Sequence, residues 1–190
     1  IVVWHHDNTG AGDIIRFFSK GPSGAEAVRA GLGEIYPRLW RFALSLTGDT
    51  DRAADLAQST ALRAIEKADK FQPGTHLDRW LFVMARRLWL NDMRSAKVRP
   101  VADPDALEED RRAAPLPAPE TNIFAREVFE KVMELKQEQR VTVVLVYVEG
   151  YTYQEAADML DVPIGTVMSR LATARKKLQK ATGDQKASAR

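Results

Sequence analysis

Thr152-Tyr-Gln-Glu-Ala-Ala-Asp-Met-Leu-Asp-Val-Pro-Ile-Gly-Thr-Val-Met-Ser-Arg-Leu-Ala-Thr-Ala-Arg-Lys-Lys-Leu178 reads as two helices meeting at a tight turn, the second ending in a basic cluster. That pattern is a helix-turn-helix, and it points to DNA. Thr152 with Glu155 three residues on forms a capping box, so the first helix starts there. Ala156, Ala157 and Leu160 give it an apolar face. Pro163 has no N–H and cannot continue that helix, yet suits the start of the next. The chain therefore turns near Asp161 to Pro163. Beyond the turn, Val167, Leu171, Ala174 and Leu178 recur at helical spacing and pack inward. Thr166, Met168, Ser169, Arg170 and Thr173 are left on the groove-facing side as candidate base readers.

The charge distribution agrees with an anionic partner. From Arg170 onward, Arg175, Lys176, Lys177, Lys180, Lys186 and Arg190 face one acid, Asp184, whereas Asp103, Asp105, Glu108, Glu109 and Asp110 cluster mid-chain. A basic helix end also complements the helix dipole as a solvated face; the motif favours phosphate binding. The net charge of +2 over the whole chain is too small to announce a nucleic-acid protein by itself. With 45% hydrophobic and 28% charged residues, the chain has the composition of a globular protein rather than a disordered one. There is no cysteine, which excludes disulfides, thiolate catalysis and thiol-based redox sensing by this chain. His5, His6 and His76 are too scattered to predict a metal site. No apolar run of membrane-spanning length and no signal peptide is evident, so a cytoplasmic location without membrane insertion is expected.

An all-α architecture of two small helical domains is expected, joined by a flexible linker. Residues 1–24 are rich in loop formers around the short apolar piece Ile14-Ile15-Arg16-Phe17-Phe18, and receive no function. Residues 25–95 hold three helical segments. The first, from about Ala25 to Leu46, places Val28, Leu32, Ile35, Leu39, Phe42, Ala43 and Leu46 on one face and stops at Gly48. The second is capped by Asp49 or Thr50 and points Ala53, Leu56, Ala57, Ala61, Ala64 and Ile65 inward. The third follows the Gln72-Pro73-Gly74-Thr75 loop and carries Leu77, Leu81, Met84 and Leu88 on one face. Residues 96–121, with Pro100, Pro104, Pro115, Pro117 and Pro119 among acids, read as an extended linker that lets the domains move. Residues 122–182 form the helix-turn-helix domain, and 183–190 a basic tail. Within it, Ile123 to Leu135 reads as a helix. Val141 to Val148 favours a strand by propensity but a helix by periodicity; the neighbouring helices, together with the family resemblance described below, decide for helix, closed by Gly150.

Two sets of residues together resemble a known family. The set Glu155-Ala156-Ala157, Leu160, Pro163 to Leu171, Ala174-Arg175 and Leu178 looks like region 4 of the extracytoplasmic-function sigma factors. The upstream set resembles region 2 of the same family in order and spacing. It comprises Tyr36 to Ala43, Leu46-Thr47-Gly48, Ala54 to Gln58, Leu62-Arg63-Ala64, Phe71 to Thr75, Trp80-Leu81-Phe82, Ala85-Arg86, Asp92 and Arg94. The resemblance covers roughly residues 30 to 95 and 122 to 180.

The resemblance implies a dissociable subunit of bacterial RNA polymerase that supplies promoter recognition, with no cofactor and no catalytic chemistry of its own. The polymerase clamp would be met by Asp55, Gln58, Leu62 and Arg63, which read otherwise as a polar solvated helix face. The displaced strand of the minus-ten element would be held by Phe71, Gln72, Thr75, His76, Arg79, Arg86, Arg87, Trp89 and Arg94. A flipped base needs stacking surfaces and cations to offset the few kcal/mol that unstacking costs. Phe71 and Trp80 also read as core or loop anchors. Region 4 would enter the major groove of the minus-thirty-five element with Thr166, Met168, Ser169, Arg170 and Thr173. Arg170 suits a phosphate as well as a base, and Arg175, Lys176 and Lys177 would each steepen the salt dependence of binding by about 0.9. Met168 and Thr173 stand where many relatives carry a basic residue, and Arg87 where Asn is common, so promoter bases are not inherited from the family.

The acidic linker is expected to thread toward the polymerase cleft as a nucleic-acid mimic, and an anti-sigma factor is expected as a negative regulator. A sigma-like module that sequesters an anti-sigma factor is the second reading. A plain helix-turn-helix repressor or activator leaves the upstream set without a role. An enzyme finds no carboxylate pair, triad, phosphate loop or metal cluster to support it.

Overall fold

The structure, a computed structural model, describes residues 23–98 and 123–188, with side chains over 23–96 and 128–179. Residues 1–22 of the N-terminal extension and the linker acids Asp103 to Asp110 lie outside the described residues, as do the side chains of Lys180, Lys186 and Arg190.

Among the described residues every regular element is helical. Helix α1 (Gly24–Thr47) opens on a capping box: the Ser23 amide donates to the Glu26 carboxylate at 2.7 Å and the Glu26 amide to the Ser23 hydroxyl at 3.3 Å. A Cβ on Gly24 would sit 2.4 Å from the Phe71 carbonyl oxygen and 2.5 Å from that of Ala68, so only glycine allows this helix start to meet the following loop. The helix runs through Pro37, whose missing N–H leaves the Gly33 carbonyl without its helical donor. It stops at Gly48 (φ 78°), whose amide donates to the Leu44 carbonyl at 2.9 Å.

Asp49 caps α2 (Thr50–Glu66) by accepting from the Arg52 amide at 2.7 Å. A short 3-10 turn at Ala68–Lys70 and the Gln72–His76 loop lead to α3 (Leu77–Val98). These three helices enclose one core, in which Phe42 and Phe82 stack at 4.6 Å between ring centroids. Two faces differ from the periodicity reading. On α2, Thr60 is buried and Ile65 exposed. Thr60 is tolerated inside because its hydroxyl donates to the Leu56 carbonyl at 2.7 Å. On α3, the buried set is Leu81, Phe82, Ala85 and Trp89, while Leu77, Met84 and Leu88 are only half-buried. Hydrophobic content alone did not say which of two overlapping apolar stripes would face the core.

The second unit comprises α4 (Ile123–Met133), α5 (Gln137–Val143), a π-helical turn (Val144–Val148), α6 (Tyr153–Leu160) and α7 (Ile164–Ser188). The Val-rich segment is helical, and its last turn is wound wide: the Glu149 amide donates to the Val144 carbonyl at 2.9 Å and the Tyr151 amide to that of Leu145 at 3.0 Å. Wide turns of this kind concentrate at functional places because they re-aim the side chains that follow. The capping box of α6 is present, with the Thr152 amide donating to Glu155 at 2.9 Å. Asp161 ends α6 in the left-handed conformation (φ 50°), which aspartate tolerates better than most residues. Ala156, Ala157 and Leu160 of α6 and Val167, Leu171 and Ala174 of α7 are buried, closing the helix-turn-helix as its sequence pattern requires.

The two units also meet in the structure, α1 against α5 and α3 against α6.

Candidate nucleic-acid interface

On α7 the buried residues Val167, Leu171 and Ala174 leave Met168, Ser169, Thr173, Arg175, Lys176 and Lys177 exposed, with Thr166 and Arg170 half-buried. The Ser169 hydroxyl donates to the Thr166 carbonyl at 2.9 Å and the Thr173 hydroxyl to that of Ser169 at 2.9 Å. Both hydroxyls are therefore turned back on the helix and must rotate to reach a base. Met168 is 48% exposed, an apolar surface of the kind that meets a thymine methyl.

The Gln72–His76 loop projects from the opposite unit. The Thr75 amide and hydroxyl both donate to the Gln72 carbonyl, at 3.2 and 2.7 Å, which fixes a tight turn and leaves Gln72, Thr75 and His76 exposed. Arg87 and Arg94 are also exposed. Phe71 and Trp89 are not available for stacking. Phe71 is buried against Trp80 at 5.4 Å between ring centroids, and Trp89 is buried beneath the Arg52 guanidinium at 4.8 Å. Phe71 is the core anchor that its alternative reading describes, and the ring of Trp89 is buried as well. Trp80 stays half-buried on the rim of a groove between α2 and α3 lined by Arg63, Val83, Met84, Arg87, Leu88 and Asn91.

On α2, Asp55, Gln58 and Leu62 share an exposed face, and Leu62 is 57% exposed. Arg63 lies to one side, on the groove. Isolated exposed leucines are ordinary; here Ile65 adds a second apolar residue on the same exposed helix.

The sequence pattern did not reveal the residues between the two units. Glu149, with a side chain 1% exposed, accepts from Arg38 Nε at 2.6 Å and from Arg41 at 3.2 Å, and Arg38 also pairs with Asp78 at 2.9 Å. Burial works to lower the Arg38 pKa, but the Glu149 and Asp78 carboxylates outweigh it and raise it. Burial works to raise that of Asp78, and the nearby Tyr151 hydroxyl, the Arg79 amide and Arg38 hold it below the usual carboxylate range. Tyr151 lies close to Asp78 without reaching hydrogen-bond geometry, and burial together with that carboxylate pushes its hydroxyl upward. The Tyr151 ring meets Phe82 edge-on at 6.2 Å.

Further along, Arg79 pairs with Asp158 of α6 at 3.2 Å. Arg86 is driven below its usual range by burial; Asp161 opposes that shift, and Arg170 and Arg87 add to it. The cations expected at one DNA surface thus face the turn of the other. Sequence alone carried one signal for this contact, the Arg38 and Arg41 pair on the half-buried side of α1.

Arg140 ties the base of the interface. Its Nε donates to the Ser45 carbonyl of α1 at 2.7 Å and its guanidinium to the Met133 carbonyl at 3.1 Å. A cation from the second unit therefore caps the carbonyl end of a helix in the first. Arg140→Met should lower unfolding stability by about 2–4 kcal/mol, because buried carbonyls lose a charged donor. Chemical denaturation with an unchanged m-value would register this; a loss under about 0.5 kcal/mol would contradict it.

A helix-turn-helix with a basic second helix, packed beside a separate helical unit bearing exposed cations, defines a DNA-binding protein of two modules. Residues 33–99 match the family model described as Sigma-70 region 2, and residues 125–178 that described as Sigma-70, region 4. The chain is 36% identical over 153 residues to the ECF RNA polymerase sigma factor EcfG of Rhodopseudomonas palustris, covering 80% of this chain and 83% of that protein. It is 31% identical over 159 residues to the ECF RNA polymerase sigma factor SigL of Mycobacterium tuberculosis, covering 80% and 88%. Among solved structures, the sigma factor RpoE of Bartonella quintana, in complex with the anti-sigma factor NepR, superposes with a TM-score of 0.69 at 32% identity, covering 80% of this chain and 94% of that one. CnrH, in complex with the cytosolic domain of CnrY, shares the fold with a TM-score of 0.53 at 23% identity. The chain belongs to the extracytoplasmic-function sigma factors of the sigma-70 family. No helix among the described residues is long and apolar enough to cross a membrane.

Proposed function

We propose that this sigma factor directs core RNA polymerase to promoters by reading two elements with two modules and carries no catalytic chemistry itself. The region 2 module, over 25–95, captures the displaced minus-ten strand with Gln72, Thr75, His76, Arg79, Arg86, Arg87 and Arg94. The region 4 module, over 122–182, enters the minus-thirty-five major groove with Thr166, Met168, Ser169, Arg170 and Thr173, while Arg175, Lys176 and Lys177 hold phosphates. Asp55, Gln58, Leu62 and Arg63 engage the polymerase clamp, and the protein works in the bacterial cytoplasm, where its polymerase is. The observation that carries the reading is the division of α7, with an apolar side sealed in the core and an opposite side that presents a row of polar and basic side chains. An anti-sigma factor is its negative regulator, a reading supported by the complex of the similar Bartonella quintana sigma factor with NepR.

Run-off transcription from a genomic fragment pool, with core polymerase alone and with this protein added, tests the proposal. New transcript starts sharing two upstream motifs are expected. An active polymerase that gains no new starts would overturn it.

A further inference from the structure

Helix α7 carries an apolar line within its polar side. Two large apolar side chains are exposed on it, Ile164 at 38% and Met168 at 48%, four residues and therefore about one turn apart. Exposed Ala172 continues the line by a further turn. Single exposed apolar residues are ordinary on a protein surface; three in line on the base-facing part of a recognition helix are not. The polar side chains around them offer few free groups. The Ser169 and Thr173 hydroxyls donate to carbonyls of their own helix, each at 2.9 Å, and Arg170 is half-buried. A Cβ on Gly165, beside Ile164, would meet nothing within 4 Å, so packing does not require glycine there. Its bare backbone instead lets the start of the helix approach closely what lies opposite.

We propose that Ile164 and Met168 form a thymine-methyl reader, so that the upstream element recognised by α7 is chosen by the C5 methyl groups of its bases and not only by their hydrogen-bonding edges. The inference rests on the entry of α7 into the major groove under the proposed function. Of the four bases only thymine presents an apolar group in that groove. The N-terminal residues of a recognition helix are the ones that reach base edges, and Ile164 and Met168 both lie there. The rise between them is about 6 Å, close to the roughly 7 Å that separates base pairs two steps apart, so each side chain can meet a methyl on a different pair. A basic side chain at position 168 would pair with guanine instead. The methionine thus changes which base is accepted as well as how tightly. DNA rather than a protein is the occupant because Arg175 follows one turn beyond Ala172, with Lys176 and Lys177 beside it, all exposed and placed to hold the phosphates that flank the groove.

The test uses the full chain at low salt to select tight binders from a pool of random duplexes. Each thymine of the selected element is then replaced singly by deoxyuridine, which removes the methyl group alone. At least one replacement should weaken binding about three- to tenfold, the effect of losing roughly one methyl contact. In the Ile164→Ala, Met168→Ala double variant the same replacements should each cost less than about 1.5-fold, because the partner of the methyl is gone. Lys176→Ala should weaken binding to the thymine and deoxyuridine duplexes alike, as loss of a phosphate contact does. If the double variant loses its helical circular dichroism, Met168→Lys, a change at an exposed position, decides alone: reselection should put guanine where the methyl-sensitive thymine stood. An element without a deoxyuridine penalty, a penalty that survives in the folded double variant, or an unchanged base preference in Met168→Lys overturns the proposal and leaves DNA binding by α7 standing. Failure to enrich any sequence overturns it together with the major-groove reading, and weakened binding of the double variant to core polymerase would then make the stripe a protein-docking face. A methyl penalty in a protein that fails to support run-off transcription refutes the sigma reading and leaves the methyl reader standing.

Discussion

Leu62→Asp is expected to abolish measurable binding to core RNA polymerase while leaving the fold intact. Leu62 is the more exposed of the two large apolar side chains that α2 leaves exposed, at 57%, so the folded monomer gains little from it. At a protein interface its burial contributes about 1.5–3 kcal/mol. An aspartate in its place loses that term and adds a carboxylate stripped of water without a partner, worth a further 2 kcal/mol or more. Together these weaken binding by a factor of more than about 100. Titration of labelled protein into core polymerase measures it, with thermal unfolding of the free variant as control. Unchanged affinity would remove α2 from the clamp contact.

Phe82→Ala should have the largest effect on stability. Phe82 is fully buried, stacks on Phe42 at 4.6 Å, meets Tyr151 at 6.2 Å and lies 5.8 Å beneath the Arg38 guanidinium. Truncating a buried phenylalanine costs about 3–5 kcal/mol through lost burial and the cavity left behind. At about 2–4 °C per kcal/mol for a chain of this size, the melting temperature should fall by roughly 10 °C. A loss under about 1 kcal/mol would show that this ring is not central to the core.

The helix-turn-helix was readable because every local rule agreed. Thr152 and Glu155 set the start, Asp161 to Pro163 the turn, and Val167, Leu171 and Ala174 the buried side, and each acts within four or five residues. The faces of α2 and α3 were less readable. Thr60 goes inside only because its own helix satisfies its hydroxyl, and Phe82 rather than Met84 faces the core because Phe42 is there to stack on it. Phe71 and Trp89 looked available for bases for the same reason: an aromatic beside cations has the same composition whether its ring lies in the core or on the surface.

The amino-acid order by itself determined the all-helical fold, the two modules, the recognition helix with its exposed residues and the family, since these rest on periodicity, caps and motif spacing. Only the tertiary structure decided that the modules close on each other. The Arg38–Glu149 bond joins residues 111 positions apart and the Arg79–Asp158 bond residues 79 apart. Charges at such separation leave no periodic trace along a chain, and they find each other only after the helices that carry them have packed.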